Sequence, residues 1–223
     1  YLLRLSDAGS VTFSGYPINE LTIGLSQNWN LFSGLSVPLP VENINDPDGI
    51  IVPGTIYELT GSYADADTLH PGKGYWVRAT EDGEISLTAG ALARQVPFVR
   101  KTVDANSLTF SDNGHSVDLY FGKGIPEDKW LNYSLPPVFP GLAFDARFSG
   151  DMKYVVDSGE IDVLNQSETL TLEYDIKVDM DEHMNWVLTS DNGKDYILDG
   201  AGEITVPSPE RFVLNRKNVI PVT

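Results

Sequence analysis

Trp130 and Tyr133 stand three residues apart in Gly124-Ile125-Pro126-Glu127-Asp128-Lys129-Trp130-Leu131-Asn132-Tyr133, a polar stretch with a loop-like pattern. Two exposed aromatic rings in such a stretch would form a platform for sugar. The C–H face of a pyranose lies against the ring and gains apolar contact in water. Asn132 and Asp128 would orient hydroxyls, and Trp76 is a third candidate stacking residue. Packing of the loop onto its own domain is the competing reading. A second chemistry is offered by Asp179, Asp181 and Glu182, three carboxylates within four residues that repel one another unless something neutralises them. Hard oxygens of this kind suit calcium, while solvated turn acids are the alternative. Asp46/Asp48, Asp65/Asp67 and Asp191/Asp195 are similar turn-like pairs. The first does not complete an EF-hand loop: with Gly49 sixth, Ile44 and Thr55 would fill the first and twelfth positions, where carboxylates belong.

Catalytic patterns are missing from the sequence. His70, His115 and His183 have no paired spacing, cysteine is absent, and zinc or copper ligation is therefore not expected. There is no Gly-x-Ser-x-Gly elbow. Among 32 acidic residues a carboxylate pair is too easily found to indicate glycoside hydrolysis. The expectation is a chain that is not an enzyme. A formal charge of −17 leaves no basic stripe for nucleic acid or an anionic bilayer. No apolar run approaches the roughly 18 residues of a membrane span.

Strand signals surround these residues. Apolar or β-branched runs occur at Val11–Phe13, Leu21–Leu25, Trp29–Ser33, Thr55–Leu59, Gly74–Arg78 and Glu84–Leu87. A second series covers Phe98–Val103, Ser107–Ser111, Val117–Phe121, Ala143–Phe148, Lys153–Val156, Thr169–Ile176, Trp186–Thr189, Tyr196–Leu198 and Glu203–Val206. Short runs punctuated by Gly, Pro, Asn and Asp predict an all-β chain of two tandem antiparallel β-sandwich-like modules, the second Ig-like or jelly-roll-like. Ser111-Asp112-Asn113-Gly114 and Ser190-Asp191-Asn192-Gly193 each predict a hairpin with a type I′ turn. Trp29 is expected in the core with Leu31 and Leu25, whereas Trp76 alternates with Tyr75 and Val77 and falls on the opposite face. Trp186 is expected to begin a core strand.

The chain also repeats itself. Tyr1–Phe13 (YLLRLSDAGSVTF) aligns without a gap on Tyr75–Leu87 (YWVRATEDGEISL), as expected of a piece of a longer modular chain. The expected modules are residues 1–92 and 95–206, with 207–223 as a Pro-Ser-Pro linker.

Trp29-Asn30-Leu31-Phe32-Ser33, Asp46-Pro47-Asp48-Gly49-Ile50-Ile51, Ile56-Tyr57-Glu58-Leu59 and Leu69-His70-Pro71-Gly72-Lys73-Gly74-Tyr75-Trp76-Val77-Arg78 together resemble the "GWNL … PGKGYWV" β-module of large secreted proteins of Bacteroidetes-like bacteria. Asn28 stands where that pattern often has Gly. Asp118–Gly122, Tyr133–Pro137 and Ala143–Phe148 are similar to the domain that usually follows it. Pro209–Asn215 is similar to the lead-in of the type IX secretion sorting domain, although Arg216–Thr223 departs from the Asn-Tyr-Pro-Asn-Pro-Phe continuation. The resemblance implies a secreted or outer cell-surface protein of a Gram-negative bacterium. This chain would be its non-catalytic accessory region, binding polysaccharide or contacting other domains of the same polypeptide. The alternative is a structural or adhesive module that self-associates.

Overall fold

The computed structural model describes Gly9 and residues 14–90, 104–112, 114–177, 184–207 and 211–218. The chain is all-β and divides into two compact units, residues 1–59 with 64–98, and residues 60–63 with 99–223. Most of the Tyr1–Phe13 repeat, with the expected strand at Val11–Phe13, most of the expected boundary at residues 88–94 and the expected strand at Phe98–Val103 lie outside the described residues.

The first unit contains β1 (Glu20–Leu25), β2 (Asn28–Ser33), β3 (Leu39–Pro40), β4 (Tyr57–Leu59), all of β5 (Tyr63–Asp65) but its first residue, β6 (Thr68–Leu69), β7 (Gly74–Ala79) and β8 (Gly83–Thr88). β1 pairs with β8, β3 pairs with β6, and the remaining strands form a sheet in the order β2-β7-β4-β5. Alternation on β7 decides which side is core. Tyr75, Val77 and Ala79 point inward with Phe32, Ile85 and Leu87. Burial of each such large side chain contributes about 1.5–3 kcal/mol.

The His70-Pro71-Gly72-Lys73 turn feeding β7 has a physical cause for each residue. Pro71 supplies the fixed φ, Gly72 takes the φ of 76° that a side chain would resist, and Lys73 N–H donates to His70 O at 3.3 Å. The buried Tyr75 hydroxyl then accepts from His70 N–H at 2.6 Å, stapling turn to strand. Asp46 acts similarly upstream, its two oxygens accepting from Ile50 N–H and Ile51 N–H at 3.0 and 2.9 Å. That makes Asp46 a turn-forming acid.

The second unit contains β9 (Asn106–Asp112), β10 (His115–Phe121), a 3₁₀ helix (Glu127–Tyr133), β11 (Asp145–Phe148), β12 (Tyr154–Val155), β13 (Gly159–Leu164), β14 (Thr169–Asp175), β15 (Met184–Ser190), β16 (Asp195–Leu198), β17 (Ala201–Pro207) and β18 (Arg211–Asn218). They form two five-stranded sheets, β12-β10-β9-β14-β17 and β11-β13-β18-β15-β16. The inward-facing residues of both sheets share one core. In it Phe121 meets Trp186 edge-on at 4.7 Å and Phe110 meets Phe212 at 5.6 Å. Trp186 is fully buried, as its strand position predicts.

Two expectations are corrected, and one short parallel pairing is added to sheets that are otherwise antiparallel as expected. The tail is not all linker: β18 lies between β13 and β15, with Phe212 and Leu214 buried, so the second unit extends past residue 206. Their alternation outweighs the Pro-Ser-Pro signal before them. β10 and β12 pair in parallel, unlike the other ladders of this unit. The Ser190–Gly193 hairpin uses a wider turn than type I′: Gly193 N–H donates to Ser190 O, Ser190 N–H to Lys194 O, and only Gly193 takes a positive φ, 81°. That is a three-residue hairpin loop with glycine at its left-handed position.

Candidate functional site

On the β2-β7-β4 sheet of the first unit, the face opposite the core carries the aromatic residues of interest. The register sets Trp29 across from Arg78, Leu31 across from Trp76, and Trp76 across from Tyr57. All five side chains therefore leave the same face. Trp29 and Trp76 meet at 6.4 Å between ring centroids with their planes at 89°, and Trp29 lies 6.1 Å from the fully buried Tyr57. Both tryptophans and Leu31 remain partly exposed. Trp29 thus shares its face with Leu31, as its spacing predicts, but that face is not the main core. Leu25, on β1, lies in the core instead.

Polar groups border the rings. The Arg78 guanidinium sits 5.7 Å from the Trp29 ring centroid, a cation–π distance, and Nη2 donates to Asn28 Oδ1 at 3.4 Å. Thr55 Oγ1 accepts from Arg78 N–H at 3.2 Å and donates to Val52 O at 2.7 Å, fixing β7 at that point. Asn28 takes a φ of 79°, in the left-handed region that Asn and Gly tolerate. Asn30 holds the tight β1–β2 connection: its Oδ1 accepts from Ser26 N–H, and its Nδ2 donates to the carbonyls of Ser26 and Asn28. The arrangement is two aromatic surfaces at right angles beside a guanidinium and an amide. It can stack an apolar ring face and hydrogen-bond polar groups at its edge.

No protein-family model, curated protein or solved structure matches the chain.

In the second unit, the expected platform does not form as a pair. Tyr133 is 4% exposed and packs on Tyr154 at 5.0 Å, and Asn132 is 5% exposed. The stretch is a 3₁₀ helix with Glu127 and Asp128 in its first turn, and it turns Tyr133 into a small cluster with Ala105 and Tyr154. The self-packing alternative therefore holds for Tyr133 and Asn132. Neither is available to a ligand. Trp130 remains partly exposed, edge-on to Tyr154 at 6.3 Å, and Asp128 is exposed beside Lys129 at 3.1 Å. Burial raises the Tyr154 hydroxyl above the ordinary phenol range, against the opposing effect of its hydrogen bond to Lys123 O.

Two other polar clusters have structural explanations. Asp112 accepts from Ser167 Oγ at 3.2 Å and lies 3.3 Å from His115 Nδ1. The carboxylate stands between hydroxyl and imidazole and ties the two side chains together. Buried Arg147 bonds Asp145 at 2.5 Å and both Pro136 O and Asp151 at 2.7 Å. Burial alone would lower this guanidinium. The hydrogen bonds and charges of Asp145 and then Asp151 outweigh it, and the net direction is upward.

Asp179, Asp181 and Glu182 lie outside the described residues. Among the described residues no group of three His, Asp or Glu is placed to hold a metal ion. Of the other acid pairs, Asp195 is bound by Lys217 at 2.7 Å and by Thr189 at 2.5 Å. No helix among the described residues is long and apolar enough to cross a membrane. The Trp29 contribution was missed in sequence because its same-face spacing with Leu31 is equally that of a core position. Its cross-strand partner Trp76 becomes visible only once β2 and β7 are set in register.

Proposed function

We propose that the chain is a non-catalytic, glycan-binding accessory region of a secreted or cell-surface bacterial protein. The single observation that carries the binding role is the partly exposed Trp29–Trp76 pair on the face of β2 and β7, bordered by Arg78 and Asn28. Trp76 was a candidate from sequence apart from the Trp130/Tyr133 pair, and in the structure its aromatic neighbour is Trp29. Sugars fit such a surface because they are amphipathic: C–H faces cover indole rings while hydroxyls bond guanidinium and amide groups. The secreted location and the type IX route rest on the sequence resemblance of the GKGYWV run and of Pro209–Asn215.

Affinity electrophoresis of the intact chain through gels containing soluble polysaccharides tests the reading. Retardation that disappears in Trp76→Ala is expected, and equal mobility in every gel would refute it.

A second reading, self-association as a structural or adhesive module, is favoured by a different observation. β16 and β17 are end strands of their sheets among the described residues, and Ile197 on β16 is 50% exposed. An exposed strand edge is a template for another chain. Light scattering coupled to size exclusion separates the two, since this reading requires a concentration-dependent oligomer.

A further inference from the structure

The β2–β7 face also limits which glycan it takes, an inference that rests on the glycan reading above. We propose that its ligand is a soluble, neutral polysaccharide chain built of equatorially substituted pyranoses. Three observations lead there.

The first is the angle between the rings. At 89°, Trp29 and Trp76 cannot both lie against one plane. A crystalline polysaccharide surface needs coplanar rings, whereas a single hydrated chain is gripped by one ring as floor and the other as wall. The second is charge. Residues 14–90 carry ten carboxylates against two cations, Lys73 and Arg78. Lys73 is engaged by Glu58 at 2.8 Å, and Arg78 bonds Asn28. A polyanion such as a uronate or sulfated chain meets repulsion from the unit as a whole. The third is the contact each ring makes. Sugars whose hydroxyls and linkages all stand equatorially present flat C–H faces on both sides of the ring, so one such chain can meet an indole at every residue, and its hydroxyls then project sideways towards Arg78 and Asn28.

The experiment is isothermal titration of the intact chain with soluble xyloglucan, arabinoxylan and mixed-linkage β-glucan. Pull-down on crystalline cellulose and titration with polygalacturonate and alginate run beside it. Saturable binding to at least one neutral soluble chain is expected, with affinity varying less than about twofold between about 0.05 and 0.5 M salt. Trp76→Ala should weaken it at least about tenfold. Binding confined to polygalacturonate, alginate or crystalline cellulose, still weakened by Trp76→Ala, would overturn the ligand class and leave the glycan reading standing. No binding to any of the polysaccharides, or affinity unchanged in both Trp76→Ala and Trp29→Ala, would overturn both. Should Trp76→Ala lose hydrogen-exchange protection in β2 and β7, Trp76→Phe is read in its place. An intermediate weakening then supports the site, and unchanged affinity overturns it.

Discussion

Removing the Arg147 cation should cost the second unit more than removing the cation together with its buried carboxylate. Arg147 and Asp145 are each 3% exposed and joined at 2.5 Å, while Asp151, the other anion on Arg147, is exposed and can turn to water. Arg147→Met leaves Asp145 charged and unpaired in the interior and strips Pro136 O of its donor. Loss of one partner of a buried pair costs about 3–5 kcal/mol. In Arg147→Met/Asp145→Leu the stranded charge is gone and mainly the carbonyl remains unsatisfied, worth about 1–3 kcal/mol. The double variant should therefore be more stable than the single one by roughly 2 kcal/mol, a population change of about thirtyfold. Because the chain has two units, the assay is hydrogen exchange followed by mass spectrometry on peptides from β11 and β13, whose protection reports local opening. Equal or greater loss of protection in the double variant would refute the stranded-charge argument. It would mean that the guanidinium acts by packing and by its bond to Pro136.

Gly122→Ala should destabilise the second unit by about 1–3 kcal/mol, because a φ of 87° is strained for alanine. Its Cβ would also lie 2.4 Å from Asn106 Nδ2 and 3.2 Å from the Trp186 ring, and urea unfolding reads the loss. The hydrogen bond from Lys217, then that with Thr189, holds the Asp195 carboxyl below the ordinary carboxylate range. Its small contribution is thus present above the unfolded pKa and lost as pH falls through the folded one. Lys217→Met should flatten that acid limb of a midpoint-versus-pH curve, and an unchanged limb would exclude the pairing. Tyr154, raised by burial, contributes stability that is present below the unfolded phenol pKa and lost as pH rises through the folded one. Tyr154→Phe should remove a late-ionising phenol from an ultraviolet pH titration, and an identical titration would contradict its burial.

The elements that were legible in sequence were those whose burial alternates. β1, β7, β9, β10 and β14 are written in runs such as Tyr75-x-Val77 and Leu108-x-Phe110, where period two and inward burial coincide. β18 has the same signal in Phe212-x-Leu214 and was obscured by the turn-forming residues before it and by the resemblance of Pro209–Asn215 to a domain lead-in. β3 and β6 are two residues long, too short for any period to register. The candidate site was half legible. Alternation places Trp76 opposite Tyr75 and Val77, and the structure agrees. The pairing of Trp29 with Trp76 depends on strand register, which joins residues far apart in sequence. Tyr133 failed as a site residue because polar neighbours advertise an exposed loop, while the end of the 3₁₀ helix is packed down and buries Asn132 and Tyr133 together, the latter against Tyr154 and Ala105.

β18 hydrogen-bonds to β13 on one side and β15 on the other, and both precede it in the chain. During synthesis, then, one sheet of the second unit waits as two separate halves, β11-β13 and β15-β16, until the strand that bridges them has left the ribosome. Folding of this unit is gated by the arrival of Arg211–Asn218: shorter nascent chains expose the inner faces of Phe148, Ile161 and Leu188 to chaperones and proteases. A synthetic peptide spanning that strand should accordingly act in trans as the missing stave of the sheet.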